Sequence, residues 1–468
     1  MKNIVTHFGI YGLYGYKDVE IDLRDPTTII VAENGMGKTT ILSALKNILT
    51  GNLQELKTID FVRMEIIFND NVNISVYRNE LMDDNNSISE LNELSNYSDD
   101  NQNAYIIAHD INSLDSIKIK DTNWYQQIYR NSPLSHDEIF KLINNCKSKI
   151  YSSEYSIFQK IHEIKSKLND VEVLYLPTYR RVEKSSLREN YNHRNDENIF
   201  QRGFALSRSN SEIKYDIAFG LADVEKKLKS ISEGIERRSN LDYRSLSATM
   251  LEDLMSDNTK PRKTQHLPEI NDLSRFLGRV ISKRQKEKTD KIVEKISNLY
   301  ISNDIEKNAY LYYFLTRLNE VIKSTKKQEA MIEKFVTVCN KYFKLSADTK
   351  TLTFDVENLQ VIVKDEFTNS DIKLDDLSSG EKQIISFMSY LYLDNRPKLV
   401  LIDEPELSLS IEWQRLVIPD MVDSGNVVQI LAITHSPFIF DNKLSKKAKM
   451  LNISKKKKDS VEKTSNDQ

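Results

Sequence analysis

The sequence predicts an α/β protein in which one main domain is built from the two ends of the chain, around a mostly helical insertion. Three observations predict this architecture. Near the start, the β-rich run Thr27–Val31 leads through a glycine-containing turn into a helix that begins near Lys38. Near the end, the apolar runs at Leu399–Ile402 and from Val427 onward are typical of buried strands. Between them, residues 223–345 carry apolar side chains every three to four positions, which predicts helices.

Length and hydropathy narrow the class of protein. The chain has 468 residues, 39% hydrophobic and 29% charged, so we expect a globular, soluble protein of two or three domains. Its longest mostly apolar run, at Ile384–Leu393, is about half of what a bilayer-spanning helix needs. The N-terminus lacks the long apolar core of a signal peptide. These features predict a cytoplasmic protein with no membrane partner.

Cysteine content and charge exclude further classes. The two cysteines, Cys146 and Cys339, are far apart, which excludes a disulfide framework and a cysteine-based zinc site. Lys and Arg number 66 against 69 Asp and Glu, for a net charge of −3. The chain is therefore no polycation. Nucleic acid stays open as a partner, but its binding needs a local basic face.

The order of these patterns divides the chain into six segments. They are an N-terminal lobe (1–80), a polar and helical insert (81–170), a strand returning to the main domain with a polar loop (171–222), a helical insertion domain (223–345), a C-terminal lobe (346–445) and a basic disordered tail (446–468). Hairpins are predicted at Phe61–Tyr77 and Thr351–Asp365. Breaks such as Ser256–Glu269 keep the predicted helices short, as a small bundle or coiled coil without long uninterrupted heptads.

The turn after the first of these strands has the composition of a phosphate-binding loop. Asn34, Gly35 and Gly37 can direct successive backbone N–H groups to one anion, because glycine tolerates dihedral angles that other residues avoid. Ala32 stands where the motif G-x-x-x-x-G-K-[ST] begins with glycine. An ordinary strand–turn–helix corner is the alternative interpretation.

The helix that follows carries the remaining residues of the loop motif. Lys38 supplies a positive charge for the β- and γ-phosphates of a nucleotide, and the hydroxyl of Thr39 suits Mg²⁺. Thr40 completes the candidate set in the first turn, where the helix N-terminus also attracts anions. The loop therefore predicts ATP and Mg²⁺ as cofactors.

Polar side chains follow both C-terminal strands at the point where each strand ends. Asp403 and Glu404 come directly after Leu399–Ile402, and His435 ends the next strand. Phosphates bind at the carboxyl edge of such sheets. Asp403 suits Mg²⁺ ligation, and Glu404 suits the base that polarises the attacking water. His435 can hydrogen-bond a γ-phosphate, although a structural histidine is the alternative when this residue is considered alone.

A second anion site is predicted at the start of another helix. Ser378, Ser379, Gly380 and Glu381 open this helix, and Ser378, the Gly380 backbone and the helix N-terminus can hold a phosphate. Because one loop already suffices for a nucleotide, a second phosphate site suggests that two copies act across a dimer. A simple helix cap at Ser378 or Ser379 is the alternative.

Taken together in this order, the motifs resemble the ABC-type ATPase heads of the SMC, SMC-like repair and OLD group. The resemblance covers about residues 1–80 and 345–440. It implies Walker A residues Lys38 and Thr39, the signature Ser378–Glu381, Walker B residues Asp403 and Glu404, and a switch histidine, His435. It also implies that Leu407–Ser410 cross the dimer interface. The resemblance therefore implies an ABC-type P-loop head, split in sequence, that hydrolyses ATP with Mg²⁺ as a head dimer or a higher homo-oligomer.

The segments "YLPTYRRVE", "LSSGEKQ" and "LIDEPELSLS" resemble the AAA-type, ABC-like ATPases of bacterial anti-phage systems. Among these the chain looks most like the ATPase subunits of PARIS systems, and next like the Septu ATPases. The resemblance implies a sensor and scaffold that restrains a separate TOPRIM-type nuclease and releases it when a phage protein binds. A DNA-binding repair ATPase of the SMC or RecF type is the main alternative. A metabolic ATPase with its own small substrate is a third interpretation.

The sequence leaves the roles of two groups of basic residues open. Arg180 and Arg181 follow a predicted buried strand, where they suit either nucleotide charge or ion pairs at the strand end. The C-terminal lysines suit nucleic acid or an acidic phage protein, but a solvated tail is the preferred interpretation because charge runs are usually disordered. They are Lys446, Lys447, Lys449 and Lys455–Lys458.

Overall fold

The computed structural model describes most of the chain, in two compact units. It describes residues 3–33, 35–83, 94, 107, 111, 116–151, 157–178, 221–255, 266–280, 286–302, 304–346, 349–356 and 358–455. The first unit contains the described residues within 1–217 and 396–468, and the second contains those within 218–395.

Strands and helices within these ranges are numbered in chain order. The strands are β1 (Val5–Leu13), β2 (Lys17–Asp22), β3 (Thr27–Val31), β4 (Arg63–Phe68), β5 (Asn73–Tyr77), β6 (Glu172–Leu176), β7 (Lys350–Asp355), β8 (Gln360–Asp365), β9 (Asp371–Ile372), β10 (Lys398–Asp403), β11 (Val427–Thr434), β12 (Ala448–Met450) and β13 (Asn452–Lys455). The α-helices are α1 (Lys38–Thr50), α2 (Leu53–Thr58), α3 (Arg78–Asp83), α4 (Ser116–Lys120), α5 (Asn123–Asn131), α6 (His136–Tyr151), α7 (Ile157–Leu168), α8 (Leu221–Met255), α9 (Ile270–Val280), α10 (Lys286–Ile301), α11 (Ala309–Phe343), α12 (Ser379–Tyr392) and α13 (Ile411–Asp423).

A parallel sheet in the order β12-β3-β11-β10-β6 forms the core of the first unit. All six residues of β10 are buried, as expected for a parallel strand that is covered on both faces. Val31 is in register with Thr434, and Ile433 with Asp403. Strands β3, β11 and β10 therefore end beside one another at the same edge of the sheet, as the sequence predicted for strands from opposite ends of the chain.

An antiparallel sheet in the order β13-β2-β1-β4-β5 forms the second layer of this unit. The predicted hairpin over Phe61–Tyr77 is confirmed by the antiparallel pairing of β4 with β5. Gln429 on β11 links the two sheets. Its Oε1 accepts from the N–H groups of Ile4 and Val5, and its Nε2 donates to the carbonyls of Val5 and Leu23. Because Gln429 is only 2% exposed, these bonds satisfy a polar group that is costly to bury alone.

The structure differs from the expectation of a disordered tail from residue 446. Strand β12 pairs with β3, and β13 pairs with β2, so both extend existing sheets. The lysines of this segment are held by acids: Lys447 lies 2.7 Å from Asp25, and Lys449 lies 3.2 Å from Asp22. The run of lysines predicted a solvent-exposed, disordered segment. Instead, pairing at the sheet edges and ion pairs with acidic residues hold the backbone through residue 455. Residues 456–468 lie outside the described residues.

The second unit is built on two long helices, α8 and α11, which pack against each other. Each is 35 residues long, so the expectation of short helices is wrong for both. Their apolar faces share a core with α9 and α10, in which Leu246, Phe276 and Leu315 are buried. Packing of this kind, rather than local propensity, supplies most of a helix's stability.

A small antiparallel sheet in the order β7-β8-β9 and helix α12 complete the second unit. The predicted hairpin over Thr351–Asp365 is confirmed by the pairing of β7 with β8. Helix α12 packs against α8 and α11. The sequence assigned residues 346–395 to a C-terminal lobe, whereas the described part of this stretch belongs with the helices, and the chain returns to the first unit at Arg396.

Candidate nucleotide site

The loop between β3 and α1 contains two glycines with left-handed backbone conformations. Gly35 and Gly37 have φ angles of 83° and 86°, which residues with a side chain rarely adopt. A Cβ atom at either position would meet nothing within 4 Å, so the backbone conformation, not space, requires glycine. Ala32 has no positive φ, and its N–H donates to the Thr434 carbonyl at 3.1 Å, which explains why alanine fits at the first motif position. Asn34 lies outside the described residues.

Lys38, the first residue of α1, forms an ion pair with Glu404. Its Nζ lies 2.7 Å from Oε1 of Glu404, and the two side chains are only 6% and 20% exposed. Glu404 follows β10 with a φ of 50°, and its N–H donates to the carbonyl of Ile433 at 2.9 Å. A left-handed backbone costs a residue with a side chain about 1–2 kcal/mol, and such strain is concentrated at functional positions.

Thr39 and Asp403 are held together beside this pair. The Thr39 hydroxyl donates to Oδ2 of Asp403 at 2.6 Å, although the residues are 364 positions apart in sequence. Asp403 is only 2% exposed. A hydroxyl and a carboxylate are the hard oxygen ligands that Mg²⁺ takes when nucleotide phosphates supply further ligands, so the pair fits this ion. The next residue, Thr40, lies 3.1 Å from the hydroxyl of Tyr14.

His435 follows β11 and contacts two glutamates through its Nδ1 atom. This atom lies 2.8 Å from Oε1 of Glu406 and 3.9 Å from Oε1 of Glu404. The side chain of His435 is 43% exposed, whereas that of Glu406 is 4% exposed. The imidazole is thus anchored on its Nδ1 side by a buried carboxylate and remains accessible from solvent.

The candidate signature residues lie at the start of α12 in the second unit. Ser378 is the N-cap of α12, and its hydroxyl and the Glu381 carboxylate form a reciprocal capping box. Ser379 and Gly380 occupy the first helical turn. Glu381 is only 2% exposed and lies 3.2 Å from Nζ of Lys350. The helix cap, which was the alternative interpretation of this segment, is therefore present.

The structure brings together the first-unit candidates and adds residues that the sequence did not indicate. Glu406, Tyr14 and Gln414 contact candidate residues or their neighbours. The only sequence signal for Glu406 was a further acid two positions after Glu404, and no pattern indicated the other two. Arg180 and Arg181 lie outside the described residues.

A phosphate-binding loop after a parallel strand, with acids at the end of a nearby parallel strand, defines the class of P-loop ATPases. The chain belongs to the AAA ATPase domain family (AAA_15), which matches residues 7–440. The family match and the parallel sheet confirm the expected α/β P-loop ATPase fold with a helical insertion.

Two solved structures of SMC heads are also similar to the chain. The Smc head domain of Pyrococcus furiosus, with an extended coiled coil and bound to the C-terminal domain of ScpA, is 14% identical over 96% of both chains, with a TM-score of 0.34. An Smc head bound to the C-winged helix domain of ScpA is 10% identical over 96% of this chain and 97% of its own, with a TM-score of 0.32. No curated protein is significantly similar in sequence.

Among the residues that the structure describes, no helix combines the length and the apolar composition that spanning a membrane takes.

Proposed function

We propose that the chain binds and hydrolyses ATP with Mg²⁺ at the edge formed by β3, β11 and β10. Lys38 and the loop backbone hold the phosphates. Thr39 and Asp403 hold Mg²⁺, which when bound neutralises charge on the phosphates and orients them. Glu404 accepts a proton from the attacking water, and His435 hydrogen-bonds the γ-phosphate.

One observation carries this proposal: residues from the two ends of the chain converge on the phosphate-binding loop. Lys38 pairs with Glu404 at 2.7 Å, and Thr39 bonds to Asp403 at 2.6 Å. His435 contributes from the strand between them. A lysine for the phosphates, a hydroxyl and a carboxylate for Mg²⁺ and a residue that orients the attacking water recur in phosphoryl transfer by P-loop enzymes.

The first experiment measures ATP binding and turnover in Lys38→Ala and Glu404→Gln. Lys38→Ala removes the charge that faces the phosphates, so we expect weaker ATP binding, by about 10–100-fold if one charged hydrogen bond is lost. Glu404→Gln keeps binding but cannot accept the proton, so we expect turnover to disappear. Lys443→Ala, an exposed lysine paired with Asp423, is the control. Normal turnover in either site variant would refute the proposed roles.

We further propose that hydrolysis occurs across a dimer of heads. The signature of one copy, Ser378–Glu381, then closes on the ATP held by Lys38 of the other. Support comes from the position of Ser378 at a second helix N-terminus, since the partial positive charge of such an end attracts anions. Mixing inactive Lys38→Ala with inactive Ser378→Ala tests this, because a mixed dimer contains one intact composite site. Recovery of turnover on mixing supports the dimer, whereas no recovery at any ratio contradicts it.

We also propose that the ATPase serves as a sensor and scaffold in anti-phage defence, where it restrains a separate nuclease until a phage protein binds. Support comes from the resemblance of "YLPTYRRVE", "LSSGEKQ" and "LIDEPELSLS" to such ATPases. The test is purification of tagged Glu404→Gln, expressed from its native locus with neighbouring genes and ATP present. A nuclease at stoichiometric level supports the proposal. DNA alone in the complex, bound with a steep salt dependence, supports the SMC-like repair alternative instead.

A further inference from the structure

Glu406 holds His435 at two points through one carboxylate oxygen. Its Oε1 accepts the backbone N–H of His435 at 2.9 Å and lies 2.8 Å from Nδ1 of the same residue. An ionised carboxylate carries no proton and only accepts hydrogen bonds, so Nδ1 is the donor in the second bond. The proton therefore sits on Nδ1, and Nε2 is the ring nitrogen that Glu406 leaves available.

The burial of this carboxylate is costly for the fold. Glu406 is only 5% exposed, and no described residue hydrogen-bonds its Oε2. A buried polar atom without a partner costs about 1–3 kcal/mol. A buried carboxylate whose Oε1 makes two contacts with His435 is better explained by what it does to His435 than by what it adds to stability.

Glu406 also connects His435 to the loop at Leu407–Ser410. The Glu406 carbonyl accepts from the N–H of Leu409 at 3.1 Å. Gln414 on α13 strengthens the connection: its Nε2 donates to the Leu409 carbonyl at 2.9 Å, and its Oε1 accepts from the Ser436 hydroxyl at 2.6 Å. The loop and the segment that carries His435 are thus joined by two short routes, one through Glu406 and one through Gln414.

We propose that Glu406 is a positioning residue for His435, which fixes the imidazole with its proton on Nδ1 and presents Nε2 to the nucleotide phosphate. This inference rests on the proposed ATPase function of the site. Glu406 directly precedes the loop at Leu407–Ser410. A displacement of that loop therefore changes the orientation of His435. Turnover thereby depends on the conformation of the loop at Leu407–Ser410.

The test uses the full chain with Glu406→Leu, Glu406→Gln, His435→Ala and the double variant Glu406→Leu/His435→Ala. Leucine removes both carboxylate oxygens, whereas the amide oxygen of glutamine can still accept the two bonds from His435. We expect Glu406→Leu to lower kcat by about 10–100-fold, the range found when the outer partner of a metal-bound histidine is changed, with the Kd for ATP unchanged and with Glu406→Gln closer to the wild type. In the His435→Ala background Glu406→Leu should lower kcat no further, because a positioning residue has nothing left to position. Glu412→Leu, in the first turn of α13, is the matched control.

The pattern across the variants decides between a positioning role and a structural one. Additive losses in the double variant, or wild-type kcat in Glu406→Leu, would overturn the proposal. A second measurement does not depend on turnover: nitrogen NMR of ¹⁵N-histidine-labelled protein, with His435→Ala to assign the signal. It should show the proton on Nδ1 in the wild type and a loss of this preference in Glu406→Leu. A wild-type protein that neither binds nor hydrolyses ATP would refute the proposed function, yet the NMR result would still confirm or overturn the hold of Glu406 on His435.

Discussion

The Nζ atom of Lys38 lies 2.7 Å from Oε1 of Glu404, and the same oxygen lies 3.9 Å from Nδ1 of His435. One carboxylate oxygen thus faces a cation from the phosphate-binding loop and an imidazole from the adjacent strand. Lys38 is nearly buried, so the carboxylate provides the negative charge that an ammonium in this position requires. An anion that binds the loop competes with Glu404 for the Lys38 ammonium.

This competition predicts that Glu404→Gln binds ATP more tightly than the wild type while it loses turnover. The neutral amide no longer competes for Lys38. A competition worth about 1 kcal/mol corresponds to a Kd about 5-fold lower. Titration with ATP in the presence of Mg²⁺, with hydrolysis measured separately, checks both effects. Weaker binding by Glu404→Gln would show that the carboxylate supports the bound phosphates instead of competing with them.

The bond between Thr39 and Asp403 predicts a Mg²⁺-dependent defect in Thr39→Val. Valine keeps the shape of threonine but has no hydroxyl to offer the ion. We expect ATP affinity to fall by about 10-fold with Mg²⁺, roughly the value of one lost charged hydrogen bond, and to change little when Mg²⁺ is chelated. Thr39→Ser, which retains the hydroxyl, should behave as the wild type under both conditions. An equal loss of affinity with and without the ion would place Thr39 outside the Mg²⁺ site.

The backbone of the loop after β10 predicts a stabilising substitution. Ser408 has a φ of 67°, whereas Ser410, the N-cap of α13, has an ordinary φ of −64° and accepts from the N–H of Trp413. Ser408→Gly relieves the left-handed backbone, which outweighs the entropy cost of glycine and stabilises the fold by up to about 1 kcal/mol. Ser410→Ala removes a cap and should destabilise by about 1 kcal/mol.

Thermal unfolding of both serine variants tests this contrast, since they lie two residues apart in one loop. The melting temperature should rise for Ser408→Gly and fall for Ser410→Ala. A fall in both would mean that the hydroxyl of Ser408, rather than its backbone conformation, matters for the fold.

Lys165 on α7 predicts a pH-dependent stability. Burial lowers the pKa of this side chain to about 7, from its usual value of 10.5. Between these two values the unfolded chain binds more protons than the folded chain, so this group makes the fold more stable as pH rises. Below about pH 7 both states hold the proton, so this group no longer changes the free energy of unfolding with pH. Lys165→Met should therefore raise the melting temperature most at and below about pH 7, and the gain should shrink towards pH 10.

Lys167→Met is the matched control on the same helix, because Lys167 is paired with Asp70 and keeps partial contact with solvent. It should show no gain that shrinks with rising pH. A gain for Lys165→Met that stays constant from neutral to alkaline pH would indicate better packing of methionine and not the removal of a buried charge.

The local sequence pattern was sufficient to predict an element wherever a motif and its secondary structure support each other. The buried strand at Leu399–Ile402 ends in Asp403 and Glu404, and a helix begins at Lys38, as expected. Ser378 caps its helix through a capping box that spans four consecutive residues. In each case the signal lies within one turn or one strand, so neighbouring residues alone determine the outcome.

Predictions failed where the partner of a segment lies far away in sequence. The lysines near residue 446 indicated a solvated tail, but Asp22 and Asp25 hold Lys447 and Lys449 beside two sheet edges. Helix α8 exceeds its predicted length because α9 and α11 cover its apolar side. A charge or an apolar face has the same sequence signature whether or not a distant partner covers it.

The sequence by itself determined the kind of chemistry, because a glycine-containing loop, Lys38, Thr39 and two acids after a buried strand are recognisable from residue type and spacing alone. Only the tertiary structure decided how these groups are coupled. Strand order in the parallel sheet brings Glu404 to Lys38. The backbone after β10 places the Glu406 carboxylate within hydrogen-bonding distance of His435. The physical reason is that hydrogen bonds and ion pairs depend on distances of about 3 Å between atoms, and spacing along the chain does not specify such distances across a sheet.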